Sequence, residues 1–297
     1  MTSWPVVGLR LGSVASAVVP SAVKQWRKRL VRAFHRFWAF APADLKRALL
    51  ELGVRPGDAL MVHSAFDRFL GFRGGPVEVV RALQEIVGPG GTLMMPTIPF
   101  RGTAVEYALG DPVFDVRQTV SMMGLITEVF RRSPGVVRSI HPTHSVAAWG
   151  DKADALIAGH ELADTPCGRL TPYGRLLDYD GKILLMGVSP STMTFCYFVA
   201  EELEPRLPVL VLTLDKYSLR WKAEDGTVRV SSVRLFAPGL DHDLSPLVAE
   251  LKRRAQWRQR RVGRLRLALL RARDVYDAAA ALADKGLFVR ERAPDDD

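Results

Sequence analysis

Cysteine is nearly missing. Cys167 and Cys196 are the two in 297 residues, so no disulfide framework is available and a reducing cytoplasm is the expected setting. Long apolar runs are missing too: none reaches the roughly 18–20 residues of a membrane span. The stretch SVASAVVPSAV (13–23) is short, is interrupted by Pro20 and lacks the basic n-region of a signal peptide. It reads as a flexible arm rather than a signal peptide. There is no G-x-S-x-G, which removes an α/β-hydrolase nucleophile elbow. There is no Walker A sequence and no G-x-G-x-x-G, which removes a P-loop NTPase and a standard Rossmann nucleotide site. No cysteine pair has zinc-finger spacing.

What is abundant is apolar residues, at 48%, enough for a sizeable α/β core. The net charge of +9 is uneven. Residues 24–36 hold six Lys/Arg and residues 252–266 hold eight, with no acid in either. Setting those fourteen aside leaves 27 bases against 32 acids, so the body is mildly acidic. Trp26, Leu30, Phe34, Phe37 and Trp38 recur at helical spacing among Arg27, Lys28, Arg29, Arg32 and Arg36. This predicts a basic amphipathic helix in an N-terminal arm (1–40), ahead of one domain (41–297). Such a helix docks on protein or lies on an anionic membrane surface. Segment 252–266 reads as a solvated helix face or an anion-binding stretch.

Strands and helices alternate through the first two thirds. ALMVHS (59–64), TLMMPT (92–97), SVAAW (145–149) and KILLMGV (182–188) read as strands; 45–52, 76–88, 121–135, 151–159 and 193–203 read as helices. Ser121 is the expected N-cap of its helix. Residues 98–119 show no period and read as a long functional loop. After Pro208, antiparallel strands with a turn at Asp225-Gly226 are expected, then a helical C-terminal part. The fold class is therefore α/β: a mixed sheet flanked by helices, with an antiparallel hairpin part late in the chain.

Six histidines are present, and RSIHPTHSVAAWG (138–150) places His141 and His144 three apart at a strand mouth. A neutral imidazole at His141 is a competent general base. His144 beside the strand suits packing. His141 with His144 and His160 or Asp164 would instead make a metal-dependent hydrolase, although metal sites usually bring a clearer ligand set. Polar turns after strands, His63-Ser64 and the SMMG turn among them, suit a phosphate or an oxyanion.

RSIHPTHSVAAWG, the preceding SMMGLITEVFRRSPGVV, the GHELADTPCGRLTPYG loop and the GKILLMGV strand together resemble the aminoglycoside 3-N-acetyltransferase family. MVHSAF and GPGGTLMMPT do so as well, and the resemblance covers about residues 44–280 in one order. It implies an antibiotic N-acetyltransferase-like α/β fold and transfer of an acetyl group from acetyl-CoA to an amine of an aminoglycoside or related amino sugar, with no metal. Surface-polysaccharide or secondary-metabolite biosynthesis is the alternative setting, and an inactive membrane-surface scaffold is the alternative of another class. By the same resemblance His141 is the base and Glu201 or Glu202 the acceptor-side acid. His63, Ser64, Ala65 and Gly71, with Ser121, Met123 and Gly124, flank the cofactor. Asp164, Tyr173 and Tyr197 complete the acceptor side. The expected partner is a small-molecule amine rather than a nucleic acid, with room for a homodimer and for membrane contact through 24–36. Three departures stand out. Tyr197 occupies the place of a histidine in the family's T-x-x-H segment, His144 is an extra, and the first 40 residues have no counterpart.

Overall fold

The computed structural model describes residues 38–241 and 243–291. The arm helix expected at 24–36 lies outside them. The elements in order are α1 (Pro42–Leu52), β1 (Ala59–Ser64), α2 (Pro76–Val87), β2 (Thr92–Pro96), α3 (Ala104–Leu109), β3 (Val113–Asp115) and α4 (Leu125–Arg131). Next come β4 (Val137–Arg138), β5 (Val146–Gly150), α5 (Ala153–Ile157), α6 (Pro172–Asp178), β6 (Lys182–Met186) and α7 (Phe195–Leu203). The chain closes with β7 (Leu212–Lys222), β8 (Val228–Phe236), β9 (Leu240–Asp241), α8 (Ser245–Arg253), β10 (Arg258–Val262), β11 (Leu265–Arg271), α9 (Ala272–Ala283) and β12 (Arg290–Glu291).

The main sheet runs β10-β11-β6-β1-β2-β5-β4. Its centre, β6-β1-β2, is parallel, and β11, β5 and β4 add antiparallel. Side chains alternate between two cores. Met61, Met94, Ile183 and Leu185 face one way with the residues of α6, α7 and α9. Leu60, Val62, Leu93, Met95 and Leu184 face the other with those of α1, α2 and α4. Burial on both faces is why these strands read as unbroken apolar runs rather than as alternation. Each buried Leu, Val or Phe contributes about 1.5–3 kcal/mol to this arrangement. Among the described residues no helix is long and apolar enough to cross a membrane.

Three sequence expectations change. Residues 98–119 are not a plain loop, because α3 and β3 lie within them. The overlooked signal was T-A-V-E at 103–106: Thr103 Oγ1 accepts from Glu106 N at 3.1 Å and Glu106 Oε2 from Thr103 N at 3.0 Å. Second, the helix expected from Ser121 starts at Leu125, because Gly124 at φ +114° turns the chain out of helical geometry. Third, residues 258–271 form the β10–β11 hairpin instead of helix. Arg258, Arg260 and Arg261 therefore lie on the exposed edge strand β10, where charge discourages pairing with another chain. The hairpin at Asp225-Gly226 is as expected and joins β7 to β8, the first a single strand with a pairing irregularity between Leu212 and Lys216.

The topology gathers one set of groups at one edge. Parallel β1 and β6 end at Ser64 and Met186, and β2 ends at Pro96 opposite Val146, the first residue of antiparallel β5. The His-Pro-Thr-His turn therefore enters the sheet where the parallel strands leave it, the edge at which open α/β sheets place their ligands.

Candidate active site

The 139–146 turn is held from every side. Ser139 Oγ accepts from Val146 N at 2.8 Å, and Thr97 N donates to Ser145 O at 2.7 Å. Within it, His141 Nδ1 accepts the backbone N–H groups of Thr143 (3.3 Å) and His144 (3.1 Å). A neutral ring with Nδ1 so engaged carries its proton on Nε2. That Nε2 is buried without a partner among the described residues. Burial, and then the neighbouring His160 and His144, hold the His141 pKa well below its ordinary value. The ring is stacked on His160, with centroids 4.5 Å apart.

These facts bear on the base role expected of His141. His141 is 1% exposed, stacked behind the motif, and presents a proton rather than a lone pair. His144 is the histidine that lines an open cleft of about 430 Å³, together with Phe100, Glu106, Tyr197, Phe236 and Pro238. Its Nδ1 shares a 3.0 Å hydrogen bond with Thr143 Oγ1. Its ring stands edge-on to Phe236, Tyr197 and Phe100, at 5.4, 5.7 and 5.9 Å. Burial, followed by His160, lowers its pKa to about 3, so the imidazole is neutral at pH 7.

The metal arrangement does not form. His160 directs Nδ1 to Ser139 Oγ and Nε2 to Pro166 O, both at 2.9 Å, which leaves it no nitrogen for an ion. Asp164 is exposed and paired with Lys216 at 2.8 Å. Among the described residues no three His, Cys, Asp or Glu side chains are placed to hold a metal ion.

The acids also differ from expectation. Glu201 turns inward, and its Oε1 accepts from Cys167 N at 2.9 Å. Burial pushes its carboxyl up to about 8, so it is mostly uncharged at pH 7 and offers no anion to an ammonium. Glu202, one residue on, is exposed. Tyr173 is fully buried and donates to His144 O at 3.1 Å, which ties it to the histidine turn. The acid that does line the cleft is Glu106, carried by the α3 that the sequence pattern concealed. Glu201→Gln keeps an acceptor for Cys167 N. Its expected effect on kcat/KM is under about threefold, whereas a catalytic carboxylate would cost 10²-fold or more; steady-state kinetics at pH 7 decide.

The cofactor-side residues fall into two groups. Among the described residues His63 Nε2 and Ser64 Oγ are buried without a partner, the kind of donor and acceptor that a bound amide chain satisfies. Gly124 lies against Ser64, since a Cβ there would meet Ser64 O at 3.5 Å. Ser121 Oγ accepts from Met123 N at 3.2 Å, and Glu128 reaches back to Ser121 N at 2.9 Å, which fixes the turn. Ala65 continues the strand, its N donating to Met186 O at 3.2 Å. Gly71 does something else: its carbonyl accepts from Phe40 N at 3.1 Å and pins the chain entering the domain. Phe40 thus packs with the body, just ahead of the boundary expected after residue 40.

Sequence reasoning passed over Arg138. Its buried guanidinium donates to Thr97 Oγ1 (3.0 Å), Ser145 Oγ (3.1 Å), Thr97 O (2.8 Å), Thr119 O (2.6 Å) and Val116 O (3.3 Å), and lies 4.8 Å over the Phe114 ring. It clamps the segment leading to Ser121 onto the base of the histidine turn. Arg138→Lys cannot reproduce that planar fork. The expected loss is about 2–4 kcal/mol of stability, read as a lower urea midpoint.

Comparison with known proteins identifies the family. The family model of the aminoglycoside 3-N-acetyltransferases matches residues 61–284. Aminoglycoside N(3)-acetyltransferase IV of Salmonella sp is 34% identical over 168 residues, covering 56% of this chain and 60% of its own length. Aminoglycoside N(3)-acetyltransferase VII of Streptomyces paromomycinus is 34% identical over 168 residues, covering 52% and 57%. The chain thus spans somewhat under two thirds of these curated relatives. Among solved structures, AAC-IIIb with CoASH superposes with a TM-score of 0.71 at 25% identity, covering 86% of this chain and 98% of that one. Sisomicin-bound AAC-VIa superposes at 0.68 and 26% identity, covering 83% and 98%. The chain belongs to the aminoglycoside 3-N-acetyltransferase family.

Proposed function

We propose that the protein transfers the acetyl group of acetyl-CoA to an amine of an amino sugar, an aminoglycoside or a related compound. The observation that carries this reading is the neutral, cleft-lining His144 at the strand edge where His63, Ser64 and the Ser121–Gly124 turn also gather. The AAC-IIIb structure, solved with CoASH and matched over nearly its whole length, supports the thioester side.

In this reading the acceptor attacks as its free base. The amine nitrogen bonds to the thioester carbon and gives a tetrahedral adduct that carries an ammonium. That ammonium is more acidic than the free substrate, and a neutral imidazole can take its proton. Thr143 Oγ1, holding His144 Nδ1–H, leaves the lone pair on Nε2. The C–S bond then breaks, and the leaving thiolate recovers the proton from His144. Buried Ser64 Oγ and the His63 ring lie on the side assigned to the pantetheine amides. No covalent enzyme intermediate is needed, and the buried Cys167, its thiol raised well above the ordinary range by burial and by Glu201, is unsuited to forming one.

The test is thiol release from acetyl-CoA with sisomicin, with simple amino sugars and without acceptor, alongside calorimetric titration of acetyl-CoA. Acceptor-dependent release supports the reading. Absence of both release and acetyl-CoA binding overturns it.

A further inference from the structure

The wall of the acceptor cleft is unusual for a site that would take a polycation. Among the described residues lining it, Glu106 is the single carboxylate. That carboxylate is already engaged, its Oε2 accepting Thr103 N at 3.0 Å, and this backbone hydrogen bond keeps its pKa below the usual value. Besides Thr103 and stretches of backbone, the rest of the described wall is made of rings and hydrocarbon. Tyr197 and Phe236 pack with centroids 4.4 Å apart, His144 stands edge-on to both, and Phe100 closes the other side against Tyr107 at 5.1 Å. Behind Tyr197, Phe236 and Leu240, which both spaces share, a narrow annex of about 30 Å³ is lined by Met193, Val211 and Phe288. No Lys, Arg or Asp stands in the described wall of either space.

An amine with several ammonium groups needs several anions or open water around it, because an unpaired charge against an apolar wall loses hydration without compensation. Among its described residues this cleft offers one carboxylate and the ring faces, enough for one cationic group. Its remaining surface rewards an apolar or aromatic face of the acceptor through burial and ring packing. We infer that the preferred acceptor is a singly charged amino sugar bearing an apolar or aromatic substituent that lies on Tyr197 and Phe236, not a polycationic one. The inference rests on the acetyl-transfer reading above and narrows its substrate class.

The experiment compares kcat/KM at saturating acetyl-CoA for 4-nitrophenyl glucosaminide, glucosamine and sisomicin, with acetyl-CoA binding measured separately by calorimetry. The aryl glucosaminide is expected to exceed both others by about tenfold or more, the scale of one aromatic contact. Its KM is expected to change less than about twofold between about 50 and 300 mM salt, since little charge is recognised. Phe236→Ala is expected to shrink the aryl advantage, raising the aryl glucosaminide KM about tenfold more than the glucosamine KM. Sisomicin as the best acceptor, with a KM that climbs steeply with salt, would overturn the inference and leave acetyl transfer standing. So would acetyl-CoA binding without turnover of either monoamine. Failure to bind acetyl-CoA would remove the function reading and this inference with it.

Discussion

Replacing His144 with Asn is expected to lower kcat by about 10²-fold or more, while acetyl-CoA affinity stays within about twofold. The reason is positional. His144 lines the open cleft with its Nδ1 tied to Thr143, whereas His141 is absent from the cleft lining and has Nδ1 taken by two backbone N–H groups. His141→Asn offers an oxygen where Nδ1 accepts those bonds, so its kcat is expected to stay at least tenfold above that of His144→Asn, with a lower Tm from the lost stack on His160. Single-turnover acetyl transfer by the two variants, with Tm as the control for folding, separates the roles. A fewfold loss in His144→Asn, beside a collapse in His141→Asn, would return the base to His141.

Lowering the pH from 7 to 5 is expected to remove a large part of the folding free energy. Burial depresses His63 and His160 to about 4, and burial with His160 depresses His144 to about 3. In the unfolded chain these rings titrate near 6.5. Between about pH 6.5 and 4, therefore, the unfolded state binds more protons, and stability falls as pH falls. Below the folded pKa values both states are protonated and the loss levels off. At pH 5 each ring contributes about 2 kcal/mol of this loss, so the three together approach 6 kcal/mol, comparable with the whole stability of many domains. His141, held low by the same burial, acts in the same direction. Glu201 opposes them. Its folded carboxyl is raised to about 8, so from about pH 4.5 to 8 the native state holds the extra proton and stability falls as pH rises. One carboxyl against four imidazoles leaves the net slope positive between pH 5 and 6.5. Urea midpoints across pH 5–8 check this. A midpoint flat from pH 7 to 5 would mean that the rings are solvated.

The strands of the parallel centre, the helices that cover them and the 225–226 hairpin were legible in the sequence. Their signals are local: unbroken apolar runs for strands buried on both faces, a Pro start and Gly stop for α2, an Asp-Gly pair for the turn. The motif RSIHPTHSVAAWG was legible as a candidate site for the same reason, two histidines where a loop enters a strand. Three things were decided only by tertiary structure. The first is which histidine meets the cleft: residues three apart on a turn point different ways, and only the packing of His160 under His141 settles it. The second is the meaning of the acids, because Glu201 and Glu202 are neighbours in sequence but face protein and solvent, while Glu106 arrives from a helix one and a half turns long. The third is the cleft wall. Phe100, His144, Tyr197 and Phe236 are up to 136 positions apart and share no motif. Charge and motif are properties of a string, but the chemistry that a site recognises depends on which distant side chains the sheet edge brings within one ring's width of each other.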